Sequence, residues 1–426
     1  MSKVKKTTYA DPRGQQPTPP AAETMGVLPG GLRVVCHRHE GLPVVYLGLA
    51  VGVGSRHETS AEAGMAHFCE HMAFKGTRRR TAMQIINRLE GVGGELNAFT
   101  TKEDTVLSAA CERRHLARAI ELLTDIAFDS QYPQQEMERE VEVICDEIDS
   151  YRDTPSELIY DEFDDMLFAQ HPLGHAILGD AEQLRGYSQQ QLAAFARRHY
   201  RPENAVLFCW GDVTMSDLGR VKATKPALPT KPTVPPPATI PAPTPGVIRR
   251  QLGTHQAHVM VGCRACARVS ADRPALYLLS NLLGGPAMNA RLNVVLRERR
   301  GLVYTVESSL ACYADTGAWT TYLGCDQGDT EQCLRLVRQE VDRLCQHAMT
   351  ERQLAAARLQ LHGQVALARQ NTEQMAIEMG RSVLHEGQPR SIDSFLGQVD
   401  RLTPSELQDV AQRYLDPKRL MTLIYT

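Results

Sequence analysis

Two hydrophobic periods run through this 426-residue chain, and they separate strands from helices. Leu32 to His39 and Val44 to Val53 are apolar or alternating, with Glu40-Gly41-Leu42-Pro43 between them, so they predict two strands joined by a hairpin-like turn. Farther on the period lengthens. Met65, Phe68 and Met72 recur at spacings of three and four, which predicts a helix, with Thr59-Ser60-Ala61-Glu62 fitting a capping box at its start and Gly76 a stop at its end. From Pro133 a second helix is predicted, with Met137, Val141, Ile144, Ile148 and Tyr151 as its buried stripe. Between the two helices, Glu95 to Thr100 alternates and is rich in strand formers.

The pattern also repeats. Ser188, Leu192, Ala196, Arg198 and Pro202 recur at one constant offset as Thr403, Leu407, Ala411, Arg413 and Pro417, each series running from a helix cap along an apolar face to the turn before a strand. Such self-similarity predicts two homologous halves. Strands mixed with long helices predict an α+β fold, each half a mixed, mostly antiparallel sheet with helices packed on it. Prolines fall every few residues between Pro226 and Pro245, which marks an extended linker. The expected layout is a disordered tail at 1–24, a first domain at 25–222, a linker at 223–246 and a second domain at 247–426.

Composition narrows the classes. With 42% hydrophobic residues the chain can bury two cores, and a net charge of -3 argues against a nucleic-acid partner, which calls for a basic footprint. No apolar run is long enough to span a bilayer. No secretory signal is legible in the first two dozen residues, and an odd count of 11 scattered cysteines reads as reduced thiols. The expected compartment is therefore the cytoplasm, with an organelle matrix as the alternative. Cys263-Arg264-Ala265-Cys266 stands alone as a CxxC in an apolar, strand-like run and reads as packing.

The chemistry lies in the first predicted helix, where the chain reads His67-Phe68-Cys69-Glu70-His71. Helical spacing brings His67, Glu70 and His71 onto one face, which offers zinc two nitrogen ligands and a neighbouring base, while Cys69 projects elsewhere. This order, His-x-x-Glu-His, is the signature of the inverted zinc peptidases. A catalytic zinc needs a third protein ligand. Winding the second helix places Glu140 and Glu147 together along one border of its apolar stripe, with Glu142 and Asp146 turned to solvent. Helix geometry leaves the choice between Glu140 and Glu147 open.

Further stretches carry a resemblance: Met72 to Thr77, Gly93 to Thr100, Asp153-Thr154-Pro155, His171 to Gly174 and Ile177 to Gly179. From about Gly31 to its end the chain resembles the pitrilysin/insulinase zinc peptidases, most closely their processing-peptidase branch. The resemblance implies one Zn2+ per chain held by His67, His71 and Glu147, with Glu140 supporting the site and Glu70 as general base. It implies that Glu95 to Thr100 is an edge strand to which substrate adds, with Asn97 gripping the substrate backbone. In the segment Arg297 to Tyr304 it implies that Arg297 and Tyr304 hold substrate and stabilise the oxyanion over the zinc of a facing domain. Arg299 and Arg300 read as solvated charges. The second half shows no counterpart of the His-x-x-Glu-His motif. The function implied is a zinc endopeptidase for unfolded or short peptides, working in a chamber enclosed by a homodimer or by a heterodimer with a homologous subunit. Two other readings stand beside it: a non-catalytic assembly or peptide-binding subunit of the same fold, and a peptidase that removes targeting peptides. Leu283-Gly284-Gly285-Pro286 is too short for the glycine-rich stretch that binds presequences in relatives.

Overall fold

The computed structural model describes residues 23–28, 30–218, 240 and 243–426. The expected tail at 1–24 thus lies outside the described residues except for its last two, and so does the linker at 223–246 except for 240 and 243–246.

Among the described residues eleven strands make two sheets. The first half supplies β1 (Thr24–Val27), β2 (Arg33–Arg38), β3 (Val44–Val51), β4 (Glu95–Thr100), β5 (Thr105–Glu112) and β6 (Ala205–Gly211), in the order β1-β2-β6-β3-β5-β4. The second supplies β7 (Gly246–Arg250), β8 (Ala257–Ala265), β9 (Val303–Cys312), β10 (Gly317–Cys325) and β11 (Met421–Tyr425), in the order β7-β11-β8-β10-β9. Without β1 the two orders coincide. In each half the last strand slides between the first two, parallel to one and antiparallel to the other, so β6 lies between β2 and β3 as β11 lies between β7 and β8. The duplicated α+β layout with mixed, mostly antiparallel sheets is therefore present. The hairpin between the first two long strands is not, because β6 separates them. Its sequence AVLFCWG is buried at six of seven positions and can be covered only in mid-sheet. The turn through Gly41, at φ 80, then spans two strand spacings, about 10 Å, instead of one.

The repeat noticed along the chain closes each half in the same way. Ser188 and Thr403 each cap a helix, Gln189–His199 and Pro404–Tyr414, through a full capping box, and each helix leads through a short turn begun by proline into the inserted strand.

Each sheet packs helices of its own half on one face and a borrowed helix on the other. The helix Pro155–Leu167 sets Ile159, Phe163 and Leu167 against Met260, Tyr322, Leu423 and Tyr425 of the second sheet. In return, the helix Thr372–Glu386 lays Ala376, Ile377, Met379 and Val383 on Val35, Ala50, Val206 and Phe208 of the first. Close approach here demands glycine: a Cβ on Gly380 would stand 2.3 Å from the Phe208 ring, and one on Gly262 would stand 2.9 Å from that of Phe163. The halves are interlocked by exchanged helices. All eleven cysteines are free and ten are buried, Cys263 and Cys266 among them. Among the described residues no helix is long and apolar enough to cross a membrane.

Candidate metal and catalytic site

The helix that carries His67, Glu70 and His71 spans Met65–Ala73. Half of the capping box forms at Thr59: the Glu62 carboxylate accepts from the Thr59 amide at 3.2 Å and from its hydroxyl at 3.0 Å, while the Glu62 amide donates to the Thr59 carbonyl. These bonds close an isolated turn, because Gly64 at φ 83 breaks the backbone before the helix begins. The buried carboxylate of Glu58 caps the helix instead, accepting from the amides of Gly64 at 2.9 Å and Ala66 at 2.7 Å. Burial pushes the Glu58 carboxyl up to about 8 in spite of those two bonds. Phe68 and Met72 enter the core of the first half, where Cys69 is also buried. That orientation turns His67, Glu70 and His71 along the border of the core.

The acidic helix spans Gln134–Arg152 and buries Met137, Glu140, Val141, Ile144, Cys145 and Ile148. Tyr151, expected in the stripe, is 37% exposed. The whole last turn, Asp149 to Arg152, projects past the layer on which the helix packs. Glu142 and Asp146 are exposed, as their position on the helix requires.

The two helices bring a ligand set together. Nε2 of His67 lies 3.8 Å and Nε2 of His71 3.6 Å from the same Oε2 of Glu147, and the three donor atoms fall within 4.8 Å of one another. A tetrahedral zinc with bonds of about 2.1 Å would hold its ligand atoms about 3.4 Å apart, so the gap is the right size. Burial, and then the neighbouring His71, pushes His67 down to about 3, which keeps its imidazole neutral as a ligand must be. For His71 burial also acts downward, but the hydrogen bond to Glu140 and the surrounding carboxylates outweigh it and raise the ring above its usual value. Glu140 accepts from Nδ1 of His71 at 3.0 Å and from Nζ of Lys75 at 2.6 Å. Burial pushes its carboxyl up, yet these two partners hold it below the usual range. The two glutamates thus divide their work. Glu147 faces the gap, while Glu140 fixes the far nitrogen of His71 and leaves Nε2 free for a metal. Two imidazoles and a carboxylate form the donor set zinc favours.

Glu70 is only 8% exposed and accepts a 2.9 Å hydrogen bond from Oγ1 of Thr100, the last residue of β4. Burial raises its carboxyl, Glu147 adds to the rise, and Thr100 and His71 oppose it. Sequence reasoning assigned no role to Thr100, Lys75 or Glu58. Alternation along β4 was the available signal for Thr100, since it shares a face with Leu96 and Ala98, which pack on the core beside the motif helix. The same alternation sends Asn97 to the opposite face, where it is exposed and accepts from the Ala98 amide at 2.8 Å. β4 is an edge strand, as expected.

Arg297 and Tyr304 stand in the second half. Arg297 is exposed in a π-helical turn, Asn293–Glu298, and Tyr304 is 62% exposed on β9, the edge of the second sheet, with its hydroxyl 3.5 Å from Oδ1 of Asp326. Among the described residues neither makes a hydrogen bond or ion pair with His67, Glu70, His71 or Glu147.

Known proteins are similar to this chain along most of its length. The family model "Insulinase (Peptidase family M16)" matches residues 33–181, and "Peptidase M16 inactive domain" matches residues 187–361. An uncharacterized zinc protease of Streptomyces coelicolor is 32% identical over 407 residues, covering 93% of this chain and 88% of its own length. The uncharacterized zinc protease YmxG of Bacillus subtilis is 28% identical over 394 residues, covering 92% and 96%. Among solved structures, a peptidase M16 inactive domain from Pseudomonas fluorescens superposes with a TM-score of 0.86 at 22% identity, covering 95% of this chain and 97% of that one. A protease from Helicobacter pylori superposes with a TM-score of 0.84 at 20% identity, covering 95% and 99%.

Proposed function

Since the chain belongs to the insulinase family of peptidases, family M16, we propose that it is a zinc endopeptidase in which His67, His71 and Glu147 hold one metal ion and Glu70 is the general base. The observation that carries the proposal is the convergence of three ligand atoms beside a buried carboxylate that is itself held by a hydroxyl. When bound, zinc supplies Lewis acidity, which lowers the pKa of a water ligand towards about 7 and polarises a peptide carbonyl. The chain's own residues do the rest. Glu70 accepts the proton of the attacking water and returns it to the leaving amine, and Thr100 keeps its carboxylate pointed at the metal gap. Burial favours the protonated form that Glu70 must adopt between those two transfers. Glu140 and Lys75 hold His71 in one tautomer.

β4 presents a free backbone edge one residue series from Glu70, so an extended peptide can add there as a further strand through main-chain bonds. Such binding accepts many sequences and requires unfolded or short substrates, with Asn97 at the same edge as a backbone contact. Arg297 and Tyr304 are exposed and face no metal residue of their own chain, which suits groups that complete the site of a second copy in a closed homodimer. In this reading residues 25–222 form the metal-binding domain and 247–426 the domain that contributes substrate contacts.

Zinc analysis and cleavage of a quenched peptide library test the assignment together. The wild type holds about one zinc per chain and cleaves; Glu70→Gln keeps the metal and loses activity by at least about 100-fold, the scale of a lost general base. A wild type without zinc, or a Glu70→Gln variant that still cleaves, sinks the reading.

A further inference from the structure

The halves leave a cleft where they meet. A cavity of about 490 Å3 opens between the turn Thr101 to Glu103 and the helix Thr372–Glu386. A second, of about 290 Å3, continues it, and Arg273, Tyr277, Glu378, Ser382 and Arg390 line both. None of His67, Glu70, His71 or Glu147 lines either lobe. The two lobes differ in character. Charged groups such as Lys102, Asp164 and Arg381 wall the larger one, whereas the smaller is walled by Trp210, Val365, Met375, Met379, Ile392 and Phe395. Tyr277 stands at the junction, 41% exposed and edge-on to Phe395 with ring centroids 5.4 Å apart. Trp210 stacks on His37 at 3.6 Å and leaves its Nε1 buried without a hydrogen-bond partner. An indole N–H in that state is a donor awaiting an acceptor.

Carboxylates line both lobes, Glu103, Asp161, Asp164 and Glu378 in the larger and Glu23 and Glu378 in the smaller, and most of the arginines around them are closely paired. Arg268 is bonded to Glu103, Arg390 to Glu386, and Arg381 to Asp104 and Glu378. Among the described residues Arg273 has no such partner of its own. Its side chain is 22% exposed, its Nη1 donates to the carbonyl of Arg268 at 3.2 Å, and its ion pair is a 3.9 Å approach to Glu386, which Arg390 already holds. The surrounding groups register the same field. Burial, and then Arg390, lowers Arg273. Cys312, on the wall of the larger lobe, is drawn down to about 7, first by its contact with Cys266 and then, against burial, by Arg273, Arg268 and Arg390.

We propose that this inter-half cleft binds an apolar carboxylate, with the carboxylate on Arg273 and the apolar body in the lobe walled by Tyr277, Met379 and Phe395. One poorly compensated guanidinium matches a monoanion, and an aromatic-lined lobe beside it rewards an apolar tail. A phosphate dianion would call for more unpaired cations than the junction offers. Two sources share the chemistry: a medium-chain fatty acid, and the free C-terminus of a peptide that ends in a bulky apolar residue. The larger polar lobe has room for the preceding residues of a peptide. Thr100, which holds Glu70, stands on the wall of the larger lobe, while His67, Glu70, His71 and Glu147 lie outside both lobes, so the carboxylate site on Arg273 uses none of the proposed metal ligands.

Cys312 makes the test direct, since it is the one cysteine of the eleven that is not buried. The full-length protein, kept reduced with a phosphine, is alkylated with iodoacetamide, and modification of Cys312 is followed by peptide mapping. Added probes are octanoate, a hexapeptide ending in phenylalanine as the free acid, the same peptide as its C-terminal amide, and acetate. Titration of Trp210 fluorescence is the second readout; the other tryptophan, Trp319, is fully buried. Octanoate or the acid peptide is expected to slow alkylation at least threefold and to shift the fluorescence, while acetate and the amide do neither. Protection by octanoate alone assigns a fatty acid, and protection by the acid peptide alone assigns a peptide C-terminus. Arg273→Met should abolish protection and Arg273→Lys retain it, which separates lost charge from lost folding. The proposal is overturned if acid and amide protect equally, if no carboxylate protects, or if Arg273→Met is protected as well as the wild type.

Discussion

At Glu70 one hydroxyl decides where a carboxylate points. The side chain of Thr100 is the donor to Glu70, so Thr100→Val should leave zinc content unchanged and lower kcat by about 10- to 100-fold, the usual cost of removing a group that orients a catalytic one. KM should move little, and Thr100→Ser should recover most of the rate. A rise in KM at constant kcat would instead make Thr100 a substrate contact. The motif residues themselves were legible along the chain, because helical geometry alone places His67, Glu70 and His71 on one face. Thr100 was not, since its partner lies 30 residues away and on another element. The choice between Glu140 and Glu147 was likewise open in the helix pattern. It resolves once the two helices are packed, because one carboxylate then meets two Nε2 atoms and the other meets Nδ1.

At the scale of elements, the exchange of helices between the halves sets tolerance to substitution. Gly380→Ala drives a methyl into the Phe208 ring in a packed layer and should destabilise by about 1–3 kcal/mol. Gly363→Ala, in the helix Glu351–Ala368 with open space around it, should stabilise by about 0.5–1 kcal/mol through helix propensity. Urea melts of the two variants check both signs, and equal effects would refute the packing argument. The capping box at Thr59 shows how a local signal can be true and still misplaced. Its Glu62 carboxylate does accept from the Thr59 amide, but the helix starts after Gly64, where the carboxylate of Glu58 arrives from outside the motif.

Across the whole molecule the halves are held by buried charge as well as by helices. Asp104, fully buried, accepts from Nε of Arg381 with both oxygens at 3.1 Å and lies 2.6 Å from Nε2 of His385. Burial pushes this carboxyl up, but His385 and Arg381 more than offset it and hold it below its usual value. A folded pKa below the unfolded one contributes stability that is present above about pH 4 and is lost as pH falls towards the folded value. Asp104→Asn should therefore cost about 3 kcal/mol at pH 7, as breaking a buried pair does, and the cost should shrink on acidification below about pH 4. Denaturant melts at pH 7 and at about pH 3.5 decide the matter. A penalty that stays constant between them would show that the charge of Asp104 contributes nothing to holding the halves.

The sequence by itself determined what short-range geometry dictates: the His-x-x-Glu-His face, the acidic helix, the alternating edge strand and the duplicated caps at Ser188 and Thr403. These follow from the fixed periods of helix and strand, which act over a few residues. Tertiary structure decided that β6 and β11 are inserted, that a helix of each half covers the other's sheet, that the Glu147 carboxylate meets the Nε2 atoms of both His67 and His71, and that among the described residues Arg273 shares its one carboxylate, Glu386, with Arg390. Each of these depends on groups far apart in the chain, for which many pairings share the same local pattern. Burial selects among them, because an arrangement gains by covering apolar faces and by giving buried charges partners.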